Sequence, residues 1–278
     1  MASSLKQRLS ESERVRARLG ADVLGRRWTN AWLDQNAKKL RNHAAPGFRN
    51  WATDYLEGHR QHFVTVCELV GELRAENGVE RVLDVGAVPG HISALLSAAG
   101  LEVEAIDLDP SRVERVFERW DVPAHRADIE SDPLPVEDGS FDAALLCQTL
   151  EHLRIDPVHP IEEINRVLRP GGFLITSVPQ ITPHMKWRFF RDDALLADPI
   201  AQREKLEKLG HVGDVRLLSR DQVEKLLDAC GFDVVKVARG GGLRTRSGGK
   251  VDEAVGRAMM TVARRRMQST LYFVARKR

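Results

Sequence analysis

Apolar residues in the first quarter of the chain recur at helical spacing. Trp51, Tyr55, Phe63, Val66, Val70 and Leu73 mark one helix face, and the chain from Ala2 to about Asn77 reads as helical, with Gly78 as the stop. The period then changes. Short apolar runs bounded by turn residues predict strands over 81–85, 102–107, 141–147 and 172–178, with a weaker one ending at Asp128. Helical patterns fall between them at 91–99, 111–120 and 160–168, the last stopped by the run RPGG. Near the end, SRDQVEKLLDACG predicts a helix with Ser219 as N-cap and Gly231 as C′ residue, followed by the strands FDVVKVA and STLYFVARK. Alternating strand and helix imply an α/β fold, a doubly wound, mostly parallel sheet with helices on both faces.

Two stretches fall outside the alternation, 179–218 and 239–268; both follow strands, where such folds build substrate sites. The organisation read from this is a helical cap or lid over 1–78 and an α/β domain over 79–278 carrying those two insertions.

With 278 residues, of which 42% are hydrophobic, the chain can bury a substantial core. Lys plus Arg number 42 against 40 Asp plus Glu, so net charge gives no argument for nucleic acid. Cys67, Cys147 and Cys230 are far apart and odd in number, which argues against a disulfide framework or a cysteine zinc site. The charged N-terminus lacks a secretory apolar region and no apolar run is long enough to span a bilayer, so a cytoplasmic protein is expected, with peripheral membrane contact open.

The chemistry concentrates in VLDVGAVPGHIS, residues 82–93. A buried strand ends at Asp84-Val85-Gly86 and the chain turns into a helix at Gly90, where glycines permit a tight turn and a close ligand. The dinucleotide spacing GxGxxG fails, because Val88 and His91 stand at the second and third glycine positions. Asp107 ends the second strand, where a carboxylate can accept from ribose hydroxyls; Asp109, in Asp-Pro-Ser, suits a turn and helix start. Asp128 ends the third strand, Cys147-Gln148 the fourth, and RVLRPGGFLITSVP closes the core.

In order and spacing these segments resemble the class I, Rossmann-like S-adenosylmethionine-dependent methyltransferases of the type 11/12 kind, over about 79–178 and more weakly over 219–232 and 271–275. The resemblance implies a seven-stranded sheet with an antiparallel last strand, and S-adenosyl-L-methionine as cofactor with S-adenosyl-L-homocysteine as product. It implies that Asp84, Gly86, Ala87 and Gly90 line the methionine part, Asp107 holds the ribose, and Leu108 packs on adenine. Asp128 and Ile129 would read the adenine edge, and Cys147 and Gln148 would touch the cofactor from the fourth strand. Where Val88 stands the family has a glycine, which predicts hindered backbone approach.

Methyl transfer from a sulfonium is an in-line displacement, and a hydroxyl acceptor gains from a general base. His152, beside Glu151 after the fourth strand, is the candidate base, since histidine titrates near neutrality; the alternative is that the pair orders the local loop. His184 and His211 lie in the first insertion and either can reach an acceptor pocket or sit on the surface. Gln148 replaces the first Glu of the metal-binding Glu-x-x-Glu-His pattern, so no metal is expected. His91 either touches the cofactor or is an exposed or capping residue. Arg239, Arg244, Arg246 and Lys250, and the run Arg264–Arg266, either grip an anionic acceptor or form a solvated face. Trp28, Trp32, Trp51 and Tyr55 either cover the acceptor or pack a cap on the core.

The expected function is O-methylation of a sugar, glycan or other small molecule, with an anionic acceptor open. An RNA methyltransferase and a cofactor-binding scaffold without catalysis are the alternatives. Near-neutral charge argues against the first, and the three retained carboxylates Asp84, Asp107 and Asp128 argue against the second.

Overall fold

A computed structural model describes residues 23–180, 203, 213–240 and 270–278. Two helices lead in, α1 (Arg26–His43) and α2 (Arg49–Asn77). Gly78 ends α2 as expected, in the left-handed region with its N–H on the Arg74 carbonyl.

Seven strands follow: β1 (Arg81–Val85), β2 (Glu102–Asp107), β3 (Ala124–Arg126), β4 (Phe141–Cys147), β5 (Leu168–Pro179), β6 (Phe232–Gly240) and β7 (Thr270–Lys277). They form one sheet in the order β3-β2-β1-β4-β5-β7-β6, parallel except for β7, which runs antiparallel to both neighbours. The crossovers are α3 (His91–Ala98), α4 (Glu114–Trp120) and α5 (His159–Val167), and α6 (Arg220–Ala229) precedes β6. Ser219 caps α6 with a complete capping box through Gln222, and Gly231 follows it at φ 84°.

The alternation of strand side chains builds two cores. Val82, Ala143, Leu145, Ile175 and Val274 face α1, α2, α3 and α4; Leu83, Ala144, Leu146, Leu174 and Phe273 face α5 and α6. The helical cap therefore shares its core with the sheet. Trp28 and Trp32 are buried there, the Trp32 ring tilted against Trp120 with centroids 5.5 Å apart, so these two pack and do not cover a site.

Two boundaries differ from expectation. The helix does end before RPGG, at Val167, but that run lies within β5 and not ahead of it: the strand already begins at Leu168, paired with Phe141, and the register jumps so that Ala143 pairs with Phe173. The bulge needs its glycines, since a Cβ at Gly172 would lie 2.9 Å from the Arg169 carbonyl. The helix predicted from Ser111 opens as a 3-10 turn over Pro110–Val113, and β3 ends at Arg126, short of Asp128.

Candidate functional site

Strand order reverses between β1 and β4, where crevices open at the carboxyl ends of the strands. A cavity of about 480 Å³ lies there, touched by Gly86 after β1, Asp107 at the end of β2 and Leu108 after it, Asp128 and Ile129 after β3, Gln148 after β4 and Pro179 on β5. Its size suits a small-molecule site.

The turn after β1 takes left-handed backbone at Gly86 (φ 74°) and Gly90 (φ 77°) but not at Val88. Val88 stands on the cavity wall, at the position where hindered backbone approach is expected. Val88 packs half-buried against the core and its N–H donates to Asp107 Oδ2 at 2.9 Å, so a side chain is accommodated. The two glycines serve different ends. A Cβ on Gly86 would lie 2.5 Å from Thr149 Oγ1, at the cavity; one on Gly90 would lie 3.2 Å from Val116 and Phe117, inside the α4 packing. Gly86→Ala is therefore expected to weaken cofactor binding at least about tenfold, an effect of about 1.4 kcal/mol or more, measured by calorimetric titration.

Asp107 accepts from Asp109 N–H as well as Val88 N–H, and burial still pushes its carboxyl above the ordinary range. Asp109 bonds Ser111 Oγ and Arg112, chiefly the former, and is held low, the turn role expected of it. Leu108 is 45% exposed on the cavity wall. Asp128 Oδ1 accepts from Glu130 N–H. Gln148 takes φ 54°, unusual for a side chain of its length, and is pinned by its N–H on the Ser177 carbonyl and by Nε2 on Ser177 Oγ.

Asp84, Ala87, Gly90 and Cys147 are not among the lining residues. Asp84 is buried behind the turn, accepting from Ser93 Oγ at 2.5 Å, with burial pushing it up to about 6. Ala87 and Cys147 belong to the apolar core on the α2 side. His91 is neither exposed nor a cap: it lies buried under α2, edge-on to Phe63, and burial pushes it down to about 3.

Glu151 and His152 sit on a 3-10 turn (Leu150–His152) and both line the cavity. The Glu151 carbonyl accepts from Val215 and Arg216 N–H, tying that turn to the chain before α6. Its side chain is 2% exposed, Oε2 has no hydrogen-bond partner among the described residues, and burial, with Asp214 adding, pushes it up to about 8. His152 Nδ1 lies 3.7 Å from Asp214 Oδ1. His184, His211, Arg244, Arg246, Lys250 and Arg264–Arg266 lie outside the described residues; Arg239 is exposed on β6.

The opposite wall is aromatic and comes from α2 and the residue before it. Phe48, Trp51, Tyr55 and His59 line the cavity, with Trp51 and Tyr55 rings 5.0 Å apart and Tyr55 and His59 stacked at 3.8 Å. Phe48 and His59 were missed in the sequence, although they continue the helical spacing of Trp51 and Tyr55. Thr149, against Gly86, left no sequence signal. Of the charged residues lining the cavity, Asp107, Asp109, Asp128, Glu130, Glu151 and Asp214 are acidic; Arg112 and Arg154 are basic and bonded to Asp109 and Glu130. Such walls suit a cation.

Residues 83–176 match the family model described as "Methyltransferase domain". An uncharacterized methyltransferase of Mycobacterium tuberculosis is 38% identical over 95 residues, 34% of this chain and 37% of that protein. A ubiquinone biosynthesis O-methyltransferase of Xanthomonas oryzae is 37% identical over 107 residues, 37% of this chain and 44% of that protein. The chain thus spans less than half the length of these relatives. A SAM-dependent methyltransferase of Thermotoga maritima has the same fold, with a TM-score of 0.55 at 17% identity, over 83% of this chain and 97% of that one.

Residues 83–176 thus match a methyltransferase domain and lie in a class I, Rossmann-like fold, and the cofactor of such domains is S-adenosylmethionine. The site fits that group: the cavity is large enough, its acidic walls match a sulfonium and an amino group, and Leu108 and Ile129 offer apolar surface to a base. Among the described residues no helix is long and apolar enough to cross a membrane.

Proposed function

We propose that the chain is an S-adenosylmethionine-dependent methyltransferase that transfers the methyl group to a hydroxyl of a small, uncharged acceptor. The observation that carries the reading is the acidic cavity at the strand ends, with Asp107 and Asp128 on one side and Glu151 and His152 on the other. Asp107 would accept from the ribose hydroxyls, Asp128 and Ile129 would meet the adenine edge, and Gly86 and Gln148 would border the methionine part. When bound, the cofactor supplies an electrophilic methyl group.

The chain's part is positioning, exclusion of water and acceptance of a proton. The aromatic wall from α2 would close over the reacting groups, with the 1–78 region as cap and the 179–218 and 239–268 insertions completing the acceptor side of the 79–278 domain. Glu151 and His152 are the acceptor-side groups, and His211 is kept as a further candidate from the first insertion. Oxygen as acceptor is supported by the ubiquinone O-methyltransferase relative. The acidic walls weigh against an anionic glycan and against an RNA backbone. Against the scaffold alternative stand the carboxylates Asp107 and Asp128, both retained at the cavity.

Calorimetric titration with S-adenosylmethionine and S-adenosylhomocysteine tests the reading. Asp107→Ala should weaken both by about 10–100-fold, since the carboxylate would bond the ligand and also holds the Val88 turn. Failure of the unaltered protein to bind either ligand, or unchanged affinity in a folded Asp107→Ala, would sink it.

A further inference from the structure

Glu151 differs from the acids on the β2 and β3 side of the cavity. Asp107, Asp109, Asp128 and Glu130 each hold main-chain N–H groups or an arginine. Glu151 is buried, its carboxyl is met only by its own main-chain N–H, and its Oε2 faces no donor among the described residues. Around it stand Tyr55 of α2 and Cys147 of β4, with Asp214 and His152 on the open side. Burial keeps Tyr55 and Cys147 protonated and His59, on the same wall, uncharged. Arg112 and Arg154 are engaged with Asp109 and Glu130. Among the described residues no arginine or lysine forms an ion pair with Glu151. A lone carboxyl so placed is stable as the neutral acid, and ionises when a cation enters beside it.

We propose that Glu151 keeps the charge of the cavity constant through the reaction: it releases its proton as the sulfonium cofactor binds and takes up the proton of the acceptor hydroxyl as the methyl group is transferred. This rests on the methyltransferase reading above. In the transfer, the methyl–sulfur bond breaks and an oxygen–methyl bond forms. Sulfur keeps the electron pair and becomes a neutral thioether, and the hydroxyl proton ends on Glu151. Acid in the empty site, carboxylate with sulfonium, and acid again with thioether each leave the same net charge. The acceptor class is then a neutral hydroxyl; an acceptor that is already anionic, such as a carboxylate, has no proton to give. Specificity between cofactor and product follows as well, because the carboxylate is drawn out only by the charged ligand.

The test is proton counting. The full chain is titrated with S-adenosylmethionine and with S-adenosylhomocysteine at about pH 7 in buffers of different ionisation enthalpy. S-adenosylmethionine should release about one proton per site and S-adenosylhomocysteine none. The release should vanish above about pH 9, where Glu151 is already ionised. Glu151→Gln, checked for folding by thermal unfolding, should bind both ligands with no proton exchanged and lose most of the preference for the sulfonium. Equal proton counts for the two ligands, or release that survives in Glu151→Gln, overturn the role of Glu151 and leave the cofactor reading standing. Binding of neither ligand to the unaltered protein overturns the cofactor reading itself, and the two failures are thereby told apart.

Discussion

Glu151→Gln is expected to stabilise the folded protein by about 3 kcal/mol near neutral pH, with a gain that grows as pH rises. In the folded chain the carboxyl is pushed up to about 8 by burial; in the unfolded chain it titrates near its ordinary value of about 4.3. Between those values the unfolded state sheds the proton and the folded state keeps it. Stability contributed by this group is therefore full below about pH 4, falls as pH climbs, and levels above about pH 8. Glutamine does not titrate, so the gap between variant and parent should be near zero at about pH 4.5 and about 3 kcal/mol at about pH 7. Asp84, raised to about 6 by burial, adds a slope of the same sign. His62 and His91, both lowered to about 3 by burial, add the opposite slope. All three are common to both proteins and cancel in the difference. Urea unfolding at three pH values measures it, and a gap independent of pH would show that Glu151 is ionised in the folded state. A residue whose removal stabilises the fold is one kept for use.

Trp28→Ala should be among the most damaging single changes in the cap, costing about 3–5 kcal/mol of stability. The side chain is 2% exposed, on the buried face of α1 and 6.5 Å from Trp32, which in turn meets Trp120 of α4. Truncation leaves a cavity among rigid neighbours that cannot collapse into it. Trp51→Ala is the contrast: half-buried on the cavity wall, it should cost less than about 2 kcal/mol of stability while weakening ligand binding. Denaturant unfolding and calorimetric titration of the two variants separate packing from covering. Equal stability losses with no binding defect in Trp51→Ala would remove the aromatic wall from the site.

The sheet was legible because its strands are short apolar runs bounded by turn residues. The limits of β1, β2 and β4 fall where the pattern puts them. The start of β5 did not, since Pro170, Gly171 and Gly172 look the same locally whether they end a helix or form a bulge, and only pairing with β4 decides. In the site, Asp107 and Asp128 could be read because one ends and the other closely follows a strand whose end is marked in the sequence. His91 was misread because α2, far off in the chain, covers it. The aromatic wall was half seen for the same reason: helical spacing names Trp51 and Tyr55, but which side of α2 meets the strand ends is a tertiary fact. Glu151 gave no sign of its isolation, since a missing hydrogen-bond partner leaves no trace in a linear pattern.

Helix α2 is anchored along its length, through Ala52 and Leu56 as well as its second half, and presents one edge of its first half to the cavity. From Phe63 to Leu73 its side chains are locked into the sheet core, while Trp51, Tyr55 and His59 face the cavity. Exchanging those three redraws one half of the pocket without disturbing the strand ends that form the other. Sequence drift can then run ahead in the leading helices while 83–176 stays recognisable, and the matched family region does stop at those limits. A lineage built this way changes its customers and keeps its currency.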